Sequence, residues 1–376
     1  MKRSLLMLTV LAACGAPTAQ PVAVPKPASS PDSSARPVPP TASASAAASV
    51  HPPTMAAPQP RFTTRPIALP GATGPVSLDY LASDRATGRV WIPAGDTGSV
   101  DVLDVASGAV TRIKGFPTAE REIRGHKRLV GPSSASIGDG VVYAGNRANS
   151  EVCVIDSTRL VRGSCIALAS SPDGILYVGA TRELWVTTPR DKSITILDAS
   201  APPRLWTKMK IVFDGEPEGY AVDNGRGIFY TNLEDKDKTL AIDVRTRKVV
   251  STWSPQCGSD GPRGLAVDSS RGLLFVACTD HLQVLDTAHD GALLSRLDTG
   301  AGVDNIDYLE ARQLLYVAAG KAARLTIAQV GDKGAVETVA TVVTSEGART
   351  VVADRDGNAV VGDPAQGRVL LITPTR

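Results

Sequence analysis

The sequence predicts an all-β fold: a seven-bladed β-propeller closed by an N-terminal strand in its last blade. Three recurrences carry this. A large aromatic or aliphatic residue ending a short β-run returns at Trp91, Tyr143, Trp185, Tyr230, Phe275, Tyr316 and Val361, at intervals of 52, 42, 45, 45, 41 and 45 residues. A Pro-x-Gly group ends eleven residues before three of these anchors, as Pro172-Asp173-Gly174, Pro217-Glu218-Gly219 and Pro262-Arg263-Gly264. An aspartate follows thirteen residues after four of them (Asp104, Asp156, Asp198 and Asp243) and eleven after a fifth (Asp286). A self-similar period of about 40–50 residues built from short strands gives one propeller blade per repeat.

The segment before the repeats is of another kind. Lys2 and Arg3 precede the apolar run from Leu5 to Val10, and small residues then lead into Cys14. This is the pattern of a secretory signal, too short to span a bilayer. The group Leu11-Ala12-Ala13-Cys14 resembles the bacterial lipobox. That resemblance implies a signal peptide over residues 1–13, cleavage before Cys14 and thioether lipidation of its sulfur. Gly15 after the cysteine, rather than Asp, points to the outer membrane by analogy with lipoproteins. The expected localisation is therefore the bacterial cell envelope, with the membrane met only through the lipid anchor. From Gly15 to Pro60 the chain is mostly Ala, Pro and Ser, with 12 of the 27 prolines, and only Lys26, Asp32 and Arg36 are charged among Asp, Glu, Lys and Arg. Such a composition cannot bury enough apolar surface to offset the entropy of ordering. Residues 14–60 are therefore expected to be a disordered linker, reaching on the order of 140 Å at the polyproline limit of about 3.1 Å per residue.

The propeller is assigned to residues 61–376. Its first turns follow from residue chemistry: Pro fixes φ and Gly permits positive φ, so Pro-x-Gly is expected to reverse the chain before each inner strand. Leu176-Tyr177-Val178, Tyr220-Ala221-Val222 and Leu265-Ala266-Val267 are the short apolar runs that follow, suited to strands buried on both faces. In the first two blades Gly74-Pro75 and Gly131-Pro132 occur with a register displaced by two or three residues. The repeated aspartates after the anchors, and Asp84, Asp223, Asp268 and Asp354 seven residues before theirs, fit Asx turns at the heads of hairpins. The seventh blade is one strand short, and Arg65-Pro66-Ile67-Ala68-Leu69 stands where other blades have their outer strand. That segment is expected to close the ring, because an open propeller leaves sheet edges unpaired.

Beyond Cys14 the chain holds Cys153, Cys165, Cys257 and Cys278. An even number in an exported chain favours disulfides. Cys153 and Cys165 flank one hairpin symmetrically, while Cys257 in a blade-entry loop and Cys278 just past a second strand reach the same face. The expected pairs are 153 with 165 and 257 with 278.

Residues 61–376 carry 36 basic against 37 acidic side chains, so no global field attracts polyanions. The local run Arg112, Lys114, Arg121, Arg124, Lys127 and Arg128 reads as a solvated loop, and a nucleic-acid partner is not expected. His51, His126, His281 and His289 lack the spacing of a zinc helix and an evident nucleophile partner. No phosphate-cradling glycine loop and no haem-attachment motif occurs, so no cofactor, metal or catalytic residue is assigned.

Gly219-Tyr220-Ala221-Val222-Asp223 with Tyr230-Thr231-Asn232, and Leu265-Ala266-Val267-Asp268 with Phe275-Val276-Ala277, resemble the YVTN-type (YncE-like) propeller repeat over roughly residues 62–376. The resemblance specifies a scaffold and leaves its activity open. In such a disc the blade-entry loops and second-to-third-strand loops share one face around the channel. There the sequence places Asp173, Glu218, Arg263, Asp304 with Asn305, and Arg349 at corresponding positions, and Asn146, Asn232, Asp191 and Asp280 on neighbouring loops. A ring of both carboxylates and guanidiniums can clamp a polar or zwitterionic ligand, or can neutralise itself as a salt-bridge collar. The expected function is a monomeric, non-catalytic scaffold binding an envelope protein, a glycan or a small polar ligand. The alternative is a metal-dependent hydrolase of the lactonase-propeller type, in which Glu218, Asn305 and Asp304 would imitate the metal-binding set against the opposing charge of Arg263 and Arg349.

Overall fold

The computed structural model describes residues 62–123 and 125–375; the signal, Cys14 and the Ala/Pro/Ser-rich segment lie outside the described residues. Seven four-stranded antiparallel sheets form the blades of an all-β propeller. In chain order their inner strands are Ala82–Asp84, Pro132–Gly138, Ile175–Val178, Pro217–Asp223, Pro262–Asp268, Val303–Leu309 and Val351–Ala353. The second strands carry the anchor residues, and the outer strands lie at the rim. Trp91, Trp185, Phe229, Phe275 and Tyr316 are among the largest fully buried side chains. The anchors fill the seams between neighbouring blades: Trp185 of the third blade packs with Phe229, Leu233 and Ile242 of the fourth, its ring centroid 4.7 Å from that of Phe229. Each seam is thus a small core shared by two sheets, which fixes the radial order.

The ring closes as the sequence predicts. Phe62–Ala68 pairs antiparallel with Arg368–Pro374, in register from Phe62 opposite Pro374 to Ala68 opposite Arg368. Ile67 and Leu69 enter one core with Val360 and Val369 of the seventh blade and Val90 and Leu103 of the first. The aspartates cap the hairpins as expected: Asp104 Oδ1 accepts from the Ser107 amide at 2.9 Å, Asp243 Oδ1 from Thr246 at 2.6 Å and Asp268 Oδ1 from Arg271 at 2.9 Å.

Two expectations are corrected. The Pro-x-Gly groups of the fourth and fifth blades are not turns ahead of the inner strand. Pro217 and Pro262 begin that strand, and the pairing register shifts between Glu218 and Tyr220 and between Pro262 and Leu265, as at a β-bulge. Glycine is required by crowding at the axis. A Cβ on Gly219, whose φ is +66°, would sit 2.2 Å from the Arg263 carbonyl oxygen, and one on Gly264 would sit 2.6 Å from that of Asp304. Of the basic run, Arg112 and Lys114 lie on the outer strand Val110–Lys114 of the first blade. Arg121, Lys127 and Arg128 lie on a hairpin, Ala119–Ile123 against His126–Val130, rather than in a loop, and Arg124 lies outside the described residues. The hairpin's described side chains are mostly exposed on both faces, so it lacks the apolar alternation by which strands are recognised.

Both disulfides form, Cys153 with Cys165 directly across a strand pair and Cys257 with Cys278 between a blade-entry loop and a second strand. The second closes a loop of 21 residues, for which the chain-entropy relation gives about 3 kcal/mol. The double variant Cys257→Ser, Cys278→Ser is expected to lose about that much in urea unfolding, and thiol titration of the unreduced propeller is expected to find none of these four sulfurs free.

Candidate functional site: a charged collar at the channel mouth

Because hairpin turns occupy one face of the disc, the blade-entry loops and second-to-third-strand loops gather on the other, called here the upper face. Bulged starts of their inner strands hold Glu218, Arg263 and Asp304 there, and the entry segments just ahead of the third and seventh inner strands hold Asp173 and Arg349, at the mouth of the central channel. Asp79 belongs to the same ring. Trp91 pairs with Ala82, and Trp185, Tyr230, Phe275 and Tyr316 each pair with a residue nine positions upstream in the same way. Asp79 therefore corresponds to Asp173, Glu218, Arg263 and Asp304, and the first blade is not displaced. In the second blade Tyr143 pairs with Ser136, a hairpin two residues shorter, and Ser133 takes the ring position.

The ring is wired by ion pairs between blades. Arg147, from the second-to-third-strand loop of the second blade, donates to Asp79 at 2.6 Å and also to Asp173. Arg263 pairs with Glu234, and Arg349 Nε lies 3.1 Å from Asp304 Oδ2. Among the described residues no guanidinium pairs with Glu218. Its Oε1 accepts from the Tyr80 hydroxyl at 2.9 Å, and the Tyr80 ring stacks on Tyr220 across the channel at 5.1 Å between centroids. Asp79, Tyr80, Arg147, Tyr220 and Glu234 complete a site of which sequence reasoning had only part. Asp79 was within reach, twelve residues before Trp91 as Asp173 is before Trp185. Arg147 and Tyr80 carry no repeat signal.

Asn146 and Asn232 are not brought to the mouth with free amides. Asn146 Nδ2 donates to the Pro117 carbonyl at 3.0 Å and its Oδ1 accepts from the Ala148 amide at 2.9 Å. Asn232 donates to the Arg263 carbonyl and accepts from Thr239 Oγ1 at 2.7 Å. Both brace loops. Asp191 is bound by Lys210 and Ser193, and Asp280 by His281. Asn305 lies one residue below the ring, its side-chain amide buried and without a hydrogen-bond partner among the described residues.

Burial and like charge dominate the electrostatics. Burial, reinforced by Asp173, Asp304 and Asp79, lifts the Glu218 carboxyl well above the usual range. Burial also raises Asp173, against the opposing pull of Arg147. It pushes Asp304 up to about 6, again against Arg349. Burial works against the charge on Arg147, but Asp173 and Asp79 more than offset it and raise its pKa. For Glu218 the linkage has a definite sign. Between the ordinary glutamate range and the raised value the folded state binds more protons than the unfolded, so stability falls as pH rises through that window. Glu218→Gln is expected to remove this loss: equal to the parent near pH 4, more stable at pH 8, as read from urea midpoints.

The arrangement is suited to holding a polar group in an ion-paired frame. It does not gather Glu218, Asn305 and Asp304 as a metal-ligand set, since Asp304 is paired with Arg349 and Glu218 with Tyr80. Among the described residues one grouping of potential ligands, Glu151 with Cys153 and Cys165, lies close together, and both sulfurs are consumed in a disulfide.

No protein-family model and no curated protein matches the chain. Solved structures do. Virginiamycin B lyase from Staphylococcus aureus superposes with a TM-score of 0.64 at 14% identity, over 84% of this chain and 100% of that one. The propeller domain of Myceliophteria thermophila Cps50 (Swd1) gives 0.65 at 12% identity, over 85% and 100%. The WD40 repeats of RRP9 give 0.66 at 11% identity, over 83% and 97%. A lyase and two repeat domains match equally well, so the likeness is one of fold.

Proposed function

We propose that the chain is a lipid-anchored, non-catalytic β-propeller scaffold of the bacterial cell envelope, of the YVTN (YncE-like) kind, that takes a protein, glycan or small polar partner at its collar. The observation that carries this reading is the convergence of ionisable side chains from all seven blades on one mouth: Asp79, Arg147, Asp173, Glu218 and Glu234, Arg263, Asp304, Arg349. Five carboxyl groups face three guanidiniums, in a frame already ordered before any partner arrives. Preorganised charge of this kind favours orientation-specific polar contacts. The side chain of Arg349 is 51% exposed and offers a guanidinium edge to a carboxylate. Leu11-Ala12-Ala13-Cys14 and the spacer to Pro60 support tethering through acyl chains, at about 0.8 kcal/mol per buried methylene.

Two measurements test the two halves. Cys14→Ser in the full chain is expected to move the protein from the membrane to the soluble fraction; retention on the membrane sinks the anchor. With that soluble chain as bait, the partner recovered from native envelopes is expected to be lost on Glu218→Ala with Arg263→Ala. Unchanged recovery from a folded double variant moves the binding surface away from the collar.

A further inference from the structure

On the outer hairpin of the second blade a guanidinium is set against a disulfide. Glu151–Asp156 and Val161–Ala167 pair with Cys153 opposite Cys165 and Ile155 opposite Arg162, so between these two pairs the outer strand carries one more residue than its partner. That extra residue turns Arg162 to the face that Cys165 occupies, where an unbroken register would have turned it away. The same bulge recurs in the fourth, fifth and sixth blades, with Val249, Leu293 and Thr338 where the second has Arg162. The bulge belongs to the fold, and three blades form it without an arginine. Arg162 Nη2 lies 2.9 Å from Cys165 Sγ, and its guanidinium lies over the Phe116 ring, 5.5 Å from the centroid. Glu151 shares that face at 3.7 Å from Nη2, beyond hydrogen-bond reach. Glu151 Oε2 and Arg162 Nε both lack a hydrogen-bond partner among the described residues, so the cation gives its hydrogen bond to sulfur in preference to the carboxylate. Cys153 is 0% exposed, whereas Cys165 is half-buried at the rim.

We propose that Cys153–Cys165 is a thiol–disulfide exchange site that takes an external dithiol as its reductant, with Cys165 as the sulfur attacked and Cys153 as the resolving thiol. Burial sets this order, because Cys165 is the member open to a nucleophile. A thiolate of the dithiol attacks Cys165 Sγ, the Cys153–Cys165 bond breaks, and its electron pair leaves on Cys153 Sγ, which takes a proton from solvent. The second thiol of the dithiol loses its proton to solvent, attacks the dithiol sulfur now bonded to Cys165, and expels Cys165 as a thiolate. The dithiol ends as a disulfide, and the hairpin holds two reduced cysteines. Exchange quickens as the pKa of the leaving thiol falls, and a neighbouring cation lowers that pKa. Arg162 supplies this in the second step. The Glu151 carboxylate, within 4.8 Å of both sulfurs, opposes it by charge alone, while Arg162 adds a donated hydrogen bond to its charge. The sulfurs of Cys257–Cys278 receive no such donor among the described residues, which makes that disulfide an internal control. The site lies at the rim and does not depend on the collar reading.

In the unaltered, full-length protein the two disulfides compete for dithiothreitol, and mass spectrometry after alkylation reads which one opens. At pH 7 Cys153–Cys165 is expected to open at least about tenfold faster than Cys257–Cys278. Arg162→Met keeps an aliphatic stem over Phe116 and is expected to lose most of that lead, while Arg162→Lys keeps the charge and is expected to recover part of it. In Cys153→Ser the thiol of Cys165, followed on its own peptide, is expected to alkylate with a pH midpoint below the ~8.5 of free cysteine, and adding Arg162→Met is expected to return the midpoint to that value or above. Equal opening of the two disulfides, faster opening of Cys257–Cys278, a Cys165 midpoint at or above that of free cysteine, or an Arg162→Met variant that moves neither readout would each overturn the proposal. The competition in the unaltered protein decides the matter even if Cys153→Ser does not fold.

Discussion

A chain shortened to begin at Gly74 is expected to lose its cooperative unfolding transition and to aggregate. The deletion removes the outer strand of the seventh blade, seven residues paired with Arg368–Pro374. Ile67 and Leu69, 8% and 3% exposed, leave the seam between the last and first blades, at about 1.5–3 kcal/mol each. Several cross-strand hydrogen bonds go with them at about 1 kcal/mol each. The total, on the order of 10 kcal/mol, rivals the whole net stability of a typical domain, about 5–15 kcal/mol. The strand Arg368–Pro374 is then left as an open edge with apolar residues on it, the template for edge-to-edge association. Connectivity can be separated from composition. Phe62 stands opposite Pro374, so residues 62–69 attached after Arg376 through a short turn can fold back onto the same strand as a hairpin. That rearranged chain is expected to recover the monomer and the thermal transition. A shortened chain that stays monomeric and melts within a few degrees of the parent would show that closure rests elsewhere.

What the sequence discloses and what it hides divide along range of interaction. The blade count, the Asx hairpins and both disulfides are written in local spacing, because each is a contact between residues a few positions or one hairpin apart. The strand at Phe62–Ala68 is legible by bookkeeping, since the seventh blade lacks one member. The collar is legible only where it repeats: Asp173, Glu218, Arg263, Asp304 and Arg349 share one offset, and Asp79 shares it too, hidden only when the glycine-proline pair is taken as the marker. Arg147 and Tyr80 are legible nowhere. The hydroxyl of Tyr80 reaches Glu218 from 138 positions away, across a channel whose diameter no local pattern records. The glycines mislead in an instructive way, because Gly219 and Gly264 answer to the crowding of neighbouring blades at the axis, where a turn preference alone would give the same letters.

The second large effect belongs to Arg147. In Arg147→Met the aliphatic stem is kept and the charge is lost, leaving Asp79 and Asp173 without the guanidinium they share. Asp173 Oδ2 already lacks a partner among the described residues, and burial already raises that carboxyl. Removing one member of such a network leaves charge uncompensated in a poorly solvated site, a cost on the order of 3 kcal/mol; the 25% exposure of Arg147 argues for no more than that. The loss is expected to depend on pH in a fixed direction. Without the cation Asp173 rises further, the folded state holds more protons than the unfolded, and stability returns as pH falls, so the gap to the parent narrows from pH 8 towards pH 4.5. Adding Asp79→Asn and Asp173→Asn to Arg147→Met replaces the ionic cluster by neutral groups of the same shape, and should restore most of the lost stability at pH 8. If Arg147→Met unfolds within about 0.5 kcal/mol of the parent at every pH, the pairs behave as ordinary surface ion pairs and the collar has no structural weight. If the triple variant is stable and no longer recovers the envelope partner, the charges at the mouth are retained for recognition, since the fold manages without them.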